Sequence, residues 1–422
     1  MIHFDGKTAL VVGLGKSGAA AARLLVERGA RVIGADDRDV PLPAGVTELR
    51  RVVPEALRGV DVVVVSPGVP LSLPIFREAK LHVIGEVELA SAFIREPIAG
   101  ITGTNGKSTT TALTGHLLAT ANKRVFVGGN LGNALSNRVV MGGELDVSVC
   151  ELSSYQLESI ESLRCAAAAV LNVTPDHLDR YASLEVYASA KERIFENQRP
   201  GDLAVLNAAD ARVAAMKTKP GVERRLFDPR GREIRVGGAA LALRAPTLRG
   251  IHNLENAFAA ALLAAHFGVR ADDLQRGLDT YPGLPHRLES VRTLDGVEWI
   301  NDSKATNVDS VAKSLSAFPE GIHLIMGGRG KGAPYAPLRE LMRGRVKTIL
   351  TIGEDAATVE RELSDVAKVE RAETLGVAVR RARELARPGE VVLLSPACAS
   401  YDQFRNFEER GDTFKRLVQE LA

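Results

Sequence analysis

Lys107 and Ser108 stand at the head of a helix-forming stretch, directly behind the glycine-rich run Gly100-Ile101-Thr102-Gly103-Thr104-Asn105-Gly106. The apolar residues Ile98-Ala99-Gly100-Ile101 lead into it as a short buried strand, and beyond Lys107 the apolar residues Ala112, Leu113 and Leu117 recur at helical spacing. Strand, glycine loop and helix in that order can wrap a phosphate. Glycines let successive N–H groups turn toward one anion, the helix N-terminus adds its positive end, and Lys107 adds a full charge. Gly103, Thr104, Asn105, Gly106, Lys107, Ser108 and Thr109 are the expected ATP loop, with the Ser108 hydroxyl directed at Mg²⁺. The spacing departs from the common pattern of glycine, four residues, glycine and lysine, because Ile101 occupies the first glycine's position.

Other residues with chemical potential follow predicted strands. Glu151 ends a buried strand over 146–150, where phosphate-loop proteins keep a carboxylate for Mg²⁺. His177 lies beyond a strand over 168–172, on the side where open α/β sheets bind ligands. Lys191 falls in a helix over 184–197, at the edge of the apolar stripe formed by Tyr187, Ala190 and Ile194; on spacing alone its stem covers that edge. Near the N-terminus, Gly13-Leu14-Gly15-Lys16-Ser17-Gly18 separates a strand from an alanine-rich helix, and the next strand ends at Asp36 and Asp37. That is a dinucleotide fingerprint, open to NAD, FAD or another nucleotide diphosphate. A third strand delivers Ser66-Pro67-Gly68 to the same sheet edge.

The elements that must position these residues read as α/β throughout. Strands over 8–12, 31–35, 61–65 and 81–84 with a helix over 88–93 make a first segment ending near Glu96-Pro97. Strands over 98–101, 124–127, 146–150 and 168–172 make a second, in which residues 223–250 alternate as a small antiparallel insertion before a helix over 250–267. After a turn at 281–287, strands over 297–300, 322–326, 346–352 and 390–394 make a third, with polar clusters at 301–307, 327–331 and 395–400 as the place for a third site. The expected domains are 1–95, 96–284 and 285–422. With 422 residues, 45% hydrophobic and 25% charged, the chain has the composition of a soluble globular protein. A net charge of +2 and the lack of long basic runs argue against nucleic acid, and no apolar stretch approaches the ~20 residues that span a bilayer. Met1-Ile2-His3-Phe4-Asp5 lacks the blocks of a signal peptide, and three scattered cysteines suit a reducing compartment. A cytoplasmic protein, taken as a monomer, is expected.

Longer motifs carry a resemblance. Thr102-Gly103-Thr104-Asn105-Gly106-Lys107-Ser108-Thr109, Glu151-Leu152-Ser153-Ser154-Tyr155-Gln156-Leu157-Glu158, Ile300-Asn301-Asp302-Ser303-Lys304-Ala305-Thr306-Asn307 and Leu394-Ser395-Pro396-Ala397-Cys398-Ala399-Ser400 resemble, in order, the motifs of the Mur ligases. These are the amino-acid-adding enzymes of peptidoglycan precursor synthesis, and the likeness runs from Gly13 to the C-terminus. It implies three α/β domains: N-terminal Rossmann-like for a UDP-sugar, central phosphate-loop ATPase-like with a parallel sheet and a small antiparallel insertion, and C-terminal Rossmann-like for an amino acid.

The resemblance is nearest to the branch that joins D-glutamate to UDP-N-acetylmuramoyl-L-alanine through an acyl phosphate. UDP-substrate contacts then fall on Gly13, Gly15, Lys16, Ser17, Asp36, Asp37, Arg38, Ser66, Pro67, Gly68 and Asn130, Lys16 standing where the family pattern is apolar. Asn253, Asn256, Arg287 and Asp302 join the loop in holding ATP. The amino acid falls to Lys304, Thr306, Lys331, Ser400, Tyr401 and Phe407. Mg²⁺ or Mn²⁺ falls to Ser108, Glu151, His177 and a carbamate on Lys191, so Lys107, Glu151, His177 and Lys191 form the implied catalytic set. The alternatives are a sister ligase adding another amino acid, or a phosphate-loop nucleotide-binding protein without ligase chemistry.

Overall fold

The computed structural model describes residues 3–77, 81–176, 180–231, 233–248, 250–330 and 332–422. Strands β1 (Thr8–Val12), β2 (Arg31–Ala35), β3 (Val46–Arg50), β4 (Val62–Val65) and β5 (His82–Gly85) form a parallel sheet in the order β3-β2-β1-β4-β5. Chain direction across the sheet reverses between β1 and β4. Open α/β sheets form a ligand crevice at such a switch point, beyond the strand C-termini.

A second parallel sheet holds β6 (Ile98–Thr102), β7 (Val125–Gly129), β8 (Val147–Glu151), β9 (Ala167–Val170), β10 (Leu203–Asn207) and β11 (Glu223–Phe227), ordered β11-β10-β9-β6-β8-β7. The antiparallel insertion is narrower than its alternation suggests. Among the described residues of that stretch, β12 (Ile234–Val236) and β13 (Ala239–Leu241) pair antiparallel, while Glu223–Phe227 extends the parallel sheet. As an edge strand exposed at four of its five residues, it carries no period that separates the two pairings.

The third sheet holds β14 (Glu289–Leu294), β15 (Val297–Asn301), β16 (Ile322–Gly327), β17 (Val346–Ile352), β18 (Lys368–Glu373) and β19 (Val391–Leu394), ordered β14-β15-β19-β16-β17-β18, with β14 alone antiparallel. Among the described residues, no helix is long and apolar enough to cross a membrane.

Two compact units result: Met1–Arg244 with Asn253–Thr280, and Ala245–His252 with Tyr281–Ala422. The first unit contains both parallel sheets, and buried carboxylates stitch them together. Glu88, in the helix Glu86–Ser91, accepts the N–H groups of Glu161, Ser162 and Leu163 at 2.9, 2.9 and 3.0 Å. Glu86, at the head of the same helix, accepts the Ser136 N–H at 2.6 Å, and Glu96, in the link before β6, accepts Arg138 Nε at 2.6 Å and the Ser148 hydroxyl at 2.6 Å. Val87 and Ala90 pack into the same apolar core as Phe126, Cys150 and Val170 of the second sheet.

Candidate active site

The central strand β6 lies between β8 and β9 and releases the chain into the predicted phosphate loop. Gly103 sits at φ +150° and Gly106 at φ +84°, and the helix Lys107–Thr120 begins at once. A Cβ on Gly106 would collide with the side-chain oxygen of Asn256, so glycine alone permits that approach in this backbone conformation. Asn256 also accepts the Thr110 hydroxyl at 3.2 Å and donates to Asn253 Oδ1 at 3.0 Å, which places both asparagines behind the loop. Asn172, just past β9, pins the loop from the other side. Its carbonyl accepts the Thr104 N–H at 2.9 Å, and its Oδ1 accepts the Asn105 N–H at 2.8 Å. Sequence reasoning assigned Asn172 no role; its one signal is an amide at a strand end beside the loop.

Two lysines converge on one carbonyl. Lys107 Nζ donates to Gly103 O at 3.0 Å and Thr104 O at 2.9 Å, and Lys191 Nζ donates to the same Gly103 O at 2.9 Å. Lys191 is 1% exposed, with Nζ 4.2 Å from the centroid of the Tyr187 ring. It is therefore a buried group aimed at the loop, not a stem lying along a stripe edge. Burial, and then the Lys107 charge, push its ammonium down to about 6, so the amine is mostly neutral at physiological pH.

Glu151 ends β8, neighbour to β6, and is 3% exposed. Its Oε1 accepts Asn130 Nδ2 at 2.9 Å, while its buried Oε2 has no hydrogen-bond partner among the described residues. An unmatched carboxylate oxygen in a buried site is costly unless a cation meets it. Ser108, also largely buried, opens the adjacent helix, and a donor set of carboxylate, hydroxyl and phosphate oxygens suits Mg²⁺. Among the described residues no three His, Cys, Asp or Glu side chains converge as a metal cluster. His177, expected as a further ligand, and Lys331, expected at the amino acid, lie outside the described residues.

At the switch point of the first sheet, Gly13 turns at φ +84°, and a Cβ on Gly18 would strike the Gly13 carbonyl, which explains both glycines. The Ser66 hydroxyl donates to Gly13 O at 2.6 Å, tying the loop after β4 to the turn after β1. Asp36 accepts the Leu14 N–H at 2.9 Å and Arg38 Nε at 3.1 Å, and the Arg38 bond holds its carboxyl near 2. Lys16 is exposed as the first residue of its helix, with Ser17 behind it. Asp37 is exposed and accepts the Val52 N–H at 3.0 Å. Gly15 and Gly68 are exposed and Pro67 is half-buried. Asn130, expected at the UDP end, reaches Glu151.

In the second unit the predicted residues gather around the ends of β15, β16 and β19. Lys304 Nζ stands 5.5 Å from the Phe407 ring centroid, the Ser303 hydroxyl donates to Phe407 O at 2.8 Å, and the Ala397 N–H donates to Ala305 O at 2.9 Å. Thr306 is half-buried, Ser400 buried and Tyr401 exposed. Asp302 is buried and accepts the Ser395 hydroxyl at 2.9 Å, the Leu288 N–H at 3.3 Å and the Ser314 hydroxyl; burial pushes its carboxyl up to about 6. Its carboxylate thus braces the chain next to Arg287, whose buried Nε has no partner among the described residues. Sequence reasoning also missed Arg410. Fully buried, it donates to Ser303 O at 2.9 Å and Cys398 O at 3.2 Å, fastening two of the polar loops together. An arginine inside a surface-like helical pattern gives no advance sign of this.

Family descriptions match along the chain in the same order as the sheets. A MurD-like Mur ligase N-terminal domain matches residues 7–87, a Mur ligase middle domain residues 101–264, and a Mur ligase glutamate ligase domain residues 286–398. The chain is 52% identical over 453 residues to a UDP-N-acetylmuramoylalanine--D-glutamate ligase from Myxococcus xanthus, covering 100% of both chains. It is 53% identical over 458 residues to the protein of that name from Anaeromyxobacter dehalogenans, covering 100% of this chain and 99% of the relative. Among solved structures, the fold resembles a MurF ligase from Thermotoga maritima in complex with ADP (TM-score 0.65, 16% identity, 99% and 96% covered). It also resembles the UDP-N-acetylmuramate-alanine ligase MurC of that organism (TM-score 0.61, 19% identity, 98% and 99% covered). Full-length identity above one half, on a scaffold of two parallel sheets and a third mixed one, makes this chain a member of the Mur ligase family.

Proposed function

We propose that this Mur ligase joins D-glutamate to UDP-N-acetylmuramoyl-L-alanine at the expense of ATP, in the cytoplasm and as a monomer. The UDP-substrate belongs to residues 1–95, ATP to 96–284 and the amino acid to 285–422. The observation that carries the reading is the convergence of Lys107 and Lys191 on Gly103 O, one strand from the unmatched Oε2 of Glu151. That arrangement suits a triphosphate whose terminal group is transferred.

A carboxylate is a poor acylating agent. Transfer of the γ-phosphoryl of ATP to the substrate's terminal carboxylate yields ADP and an acyl phosphate. Attack by the amine of D-glutamate gives a tetrahedral intermediate that expels phosphate, leaving the amide and releasing a proton. Lys107 and the loop N–H groups hold the phosphates and meet the charge that develops between ATP and the carboxylate. Ser108, Glu151, His177 and a carbamate on Lys191 would hold Mg²⁺, which when bound supplies neutralising charge to the phosphate oxygens. Carbamylation joins the neutral amine of Lys191 to CO₂ with release of a proton, replacing an unwelcome cation by an anion. The test is ADP release with UDP-N-acetylmuramoyl-L-alanine across a panel of D- and L-amino acids. Release confined to D-glutamate supports the reading, and release confined to another amino acid sinks it.

Lys331 takes the side-chain carboxylate of D-glutamate in this scheme. An anion leaving water needs a cation or several N–H donors, and a charge-assisted hydrogen bond is worth about 1.5–3 kcal/mol. Lys331→Ala is therefore expected to lower kcat/KM for D-glutamate by roughly 10- to 150-fold, with KM for ATP and the UDP-substrate nearly unchanged. Steady-state kinetics on all three substrates decides it; a loss shared evenly among them removes the assignment.

A further inference from the structure

The loop Ser66-Pro67-Gly68 is held from two sides. Ser66 fastens it to the glycine turn of its own sheet, and Arg180 fastens it to the second sheet. Arg180 Nη1 donates to Pro67 O at 3.2 Å, and its Nη2 donates to Glu158 Oε2 at 2.6 Å. The guanidinium lies over the Tyr155 ring, 3.9 Å from its centroid. Arg180 and Glu158 side chains are 17% and 21% exposed, so water screens this pair less than an ordinary surface pair.

From that cation the contacts run on toward the phosphate loop. Glu158 accepts the Tyr181 hydroxyl at its other oxygen. Tyr181 stacks on Tyr155 with centroids 5.9 Å apart and tilts against Tyr187 at 5.2 Å. Lys191 Nζ stands over the Tyr187 ring. A capping box of Ser153 and Gln156 starts the short helix that carries Tyr155, so the platform beneath Arg180 is rigid.

We infer that Arg180 is a positioning residue that sets the Ser66-Pro67-Gly68 loop, and with it the sugar-nucleotide substrate, at a defined distance from Lys191 and Glu151. Three geometrically distinct bonds are asked of one side chain: a carbonyl, a carboxylate and an aromatic face. A planar guanidinium meets all three at once, whereas a lysine ammonium is a single point of charge. The joint acts on transfer because a small misplacement of a bound carboxylate relative to the phosphoryl group is costly in rate. This role rests on the UDP-substrate reading of the first sheet.

The experiment compares Arg180→Ala, Arg180→Lys and Tyr155→Leu with the intact protein, measuring ADP release at varied UDP-N-acetylmuramoyl-L-alanine, ATP and D-glutamate. All three variants are expected to lose about 10- to 100-fold in kcat/KM for the UDP-substrate while KM for ATP and D-glutamate changes by less than about twofold. Arg180→Lys recovers little. Tyr155→Leu, which keeps an apolar residue and the Arg180 bonds to Pro67 and Glu158, reports on the joint even if the alanine variant folds poorly. An active parent with variants unchanged toward the UDP-substrate overturns the inference alone, as does a loss spread evenly over the three substrates. A parent inert toward UDP-N-acetylmuramoyl-L-alanine overturns the functional reading and this role together.

Discussion

Lys107→Ala is expected to lower ligation by at least ~10²-fold while leaving affinity for the UDP-substrate intact. The ammonium rests on Gly103 O and Thr104 O, inside the loop where the terminal phosphates of ATP are proposed to sit. Phosphoryl transfer brings two anions together, and a fixed cation there acts mainly on the transition state. The loop proposed to hold the sugar nucleotide belongs to another sheet, beyond β1 and β4. Rates of ADP release beside equilibrium binding of the UDP-substrate test the split. Equal losses in both would mean that the phosphate and sugar sites are not separate.

Lys191→Ala is expected to be nearly inactive, with partial rescue by added short carboxylic acids. The side chain is buried beneath the loop, and burial ahead of the Lys107 charge lowers its ammonium to about 6. Above that pH the amine is mostly free to take up CO₂; below it the amine binds a proton and the carbamate is lost. Activity of the parent should therefore fall when CO₂ is stripped, and most sharply at mildly acidic pH. Removing the side chain leaves the β8 carboxylate of Glu151 without its proposed second anion at the metal. Bicarbonate-controlled kinetics and acetate or formate titrations of the variant measure both effects. A fully active Lys191→Ala variant, or a parent indifferent to CO₂, ends the idea.

The parts legible in the sequence are those in which backbone demand and composition coincide. Gly103 and Gly106 occupy conformations that other residues rarely adopt, and Lys107 follows at a helix start, so the loop could be read from residue types alone. Central strands such as Val62–Val65 announce themselves because both faces are buried. Edge strands do not: Val46–Arg50, Glu289–Leu294 and Lys368–Glu373 bury little, and their mixed composition resembles loop. Lys191 illustrates a different limit. Its helical position is plain from spacing, yet its burial comes from packing against Tyr187 and the loop, which one-dimensional periodicity does not encode. Asn172 and Arg410 fall in the same class, since their work is to join segments far apart in the chain.

The carboxylates that stitch the two parallel sheets also govern how the first unit comes apart. A chain cut after residue 95 would leave Glu88 without the three N–H groups that solvate it and Glu86 without the Ser136 N–H. Leaving a buried carboxylate such as Glu88, 4% exposed, without its donors costs more than the roughly 1–3 kcal/mol of an unsatisfied neutral group. That is a large share of the stability of a small domain. The two sheets should accordingly melt as one cooperative block, with denaturant curves from probes in either sheet superimposing. A fragment ending at the sequence boundary should fail to fold until residues of the 136–163 region are supplied with it.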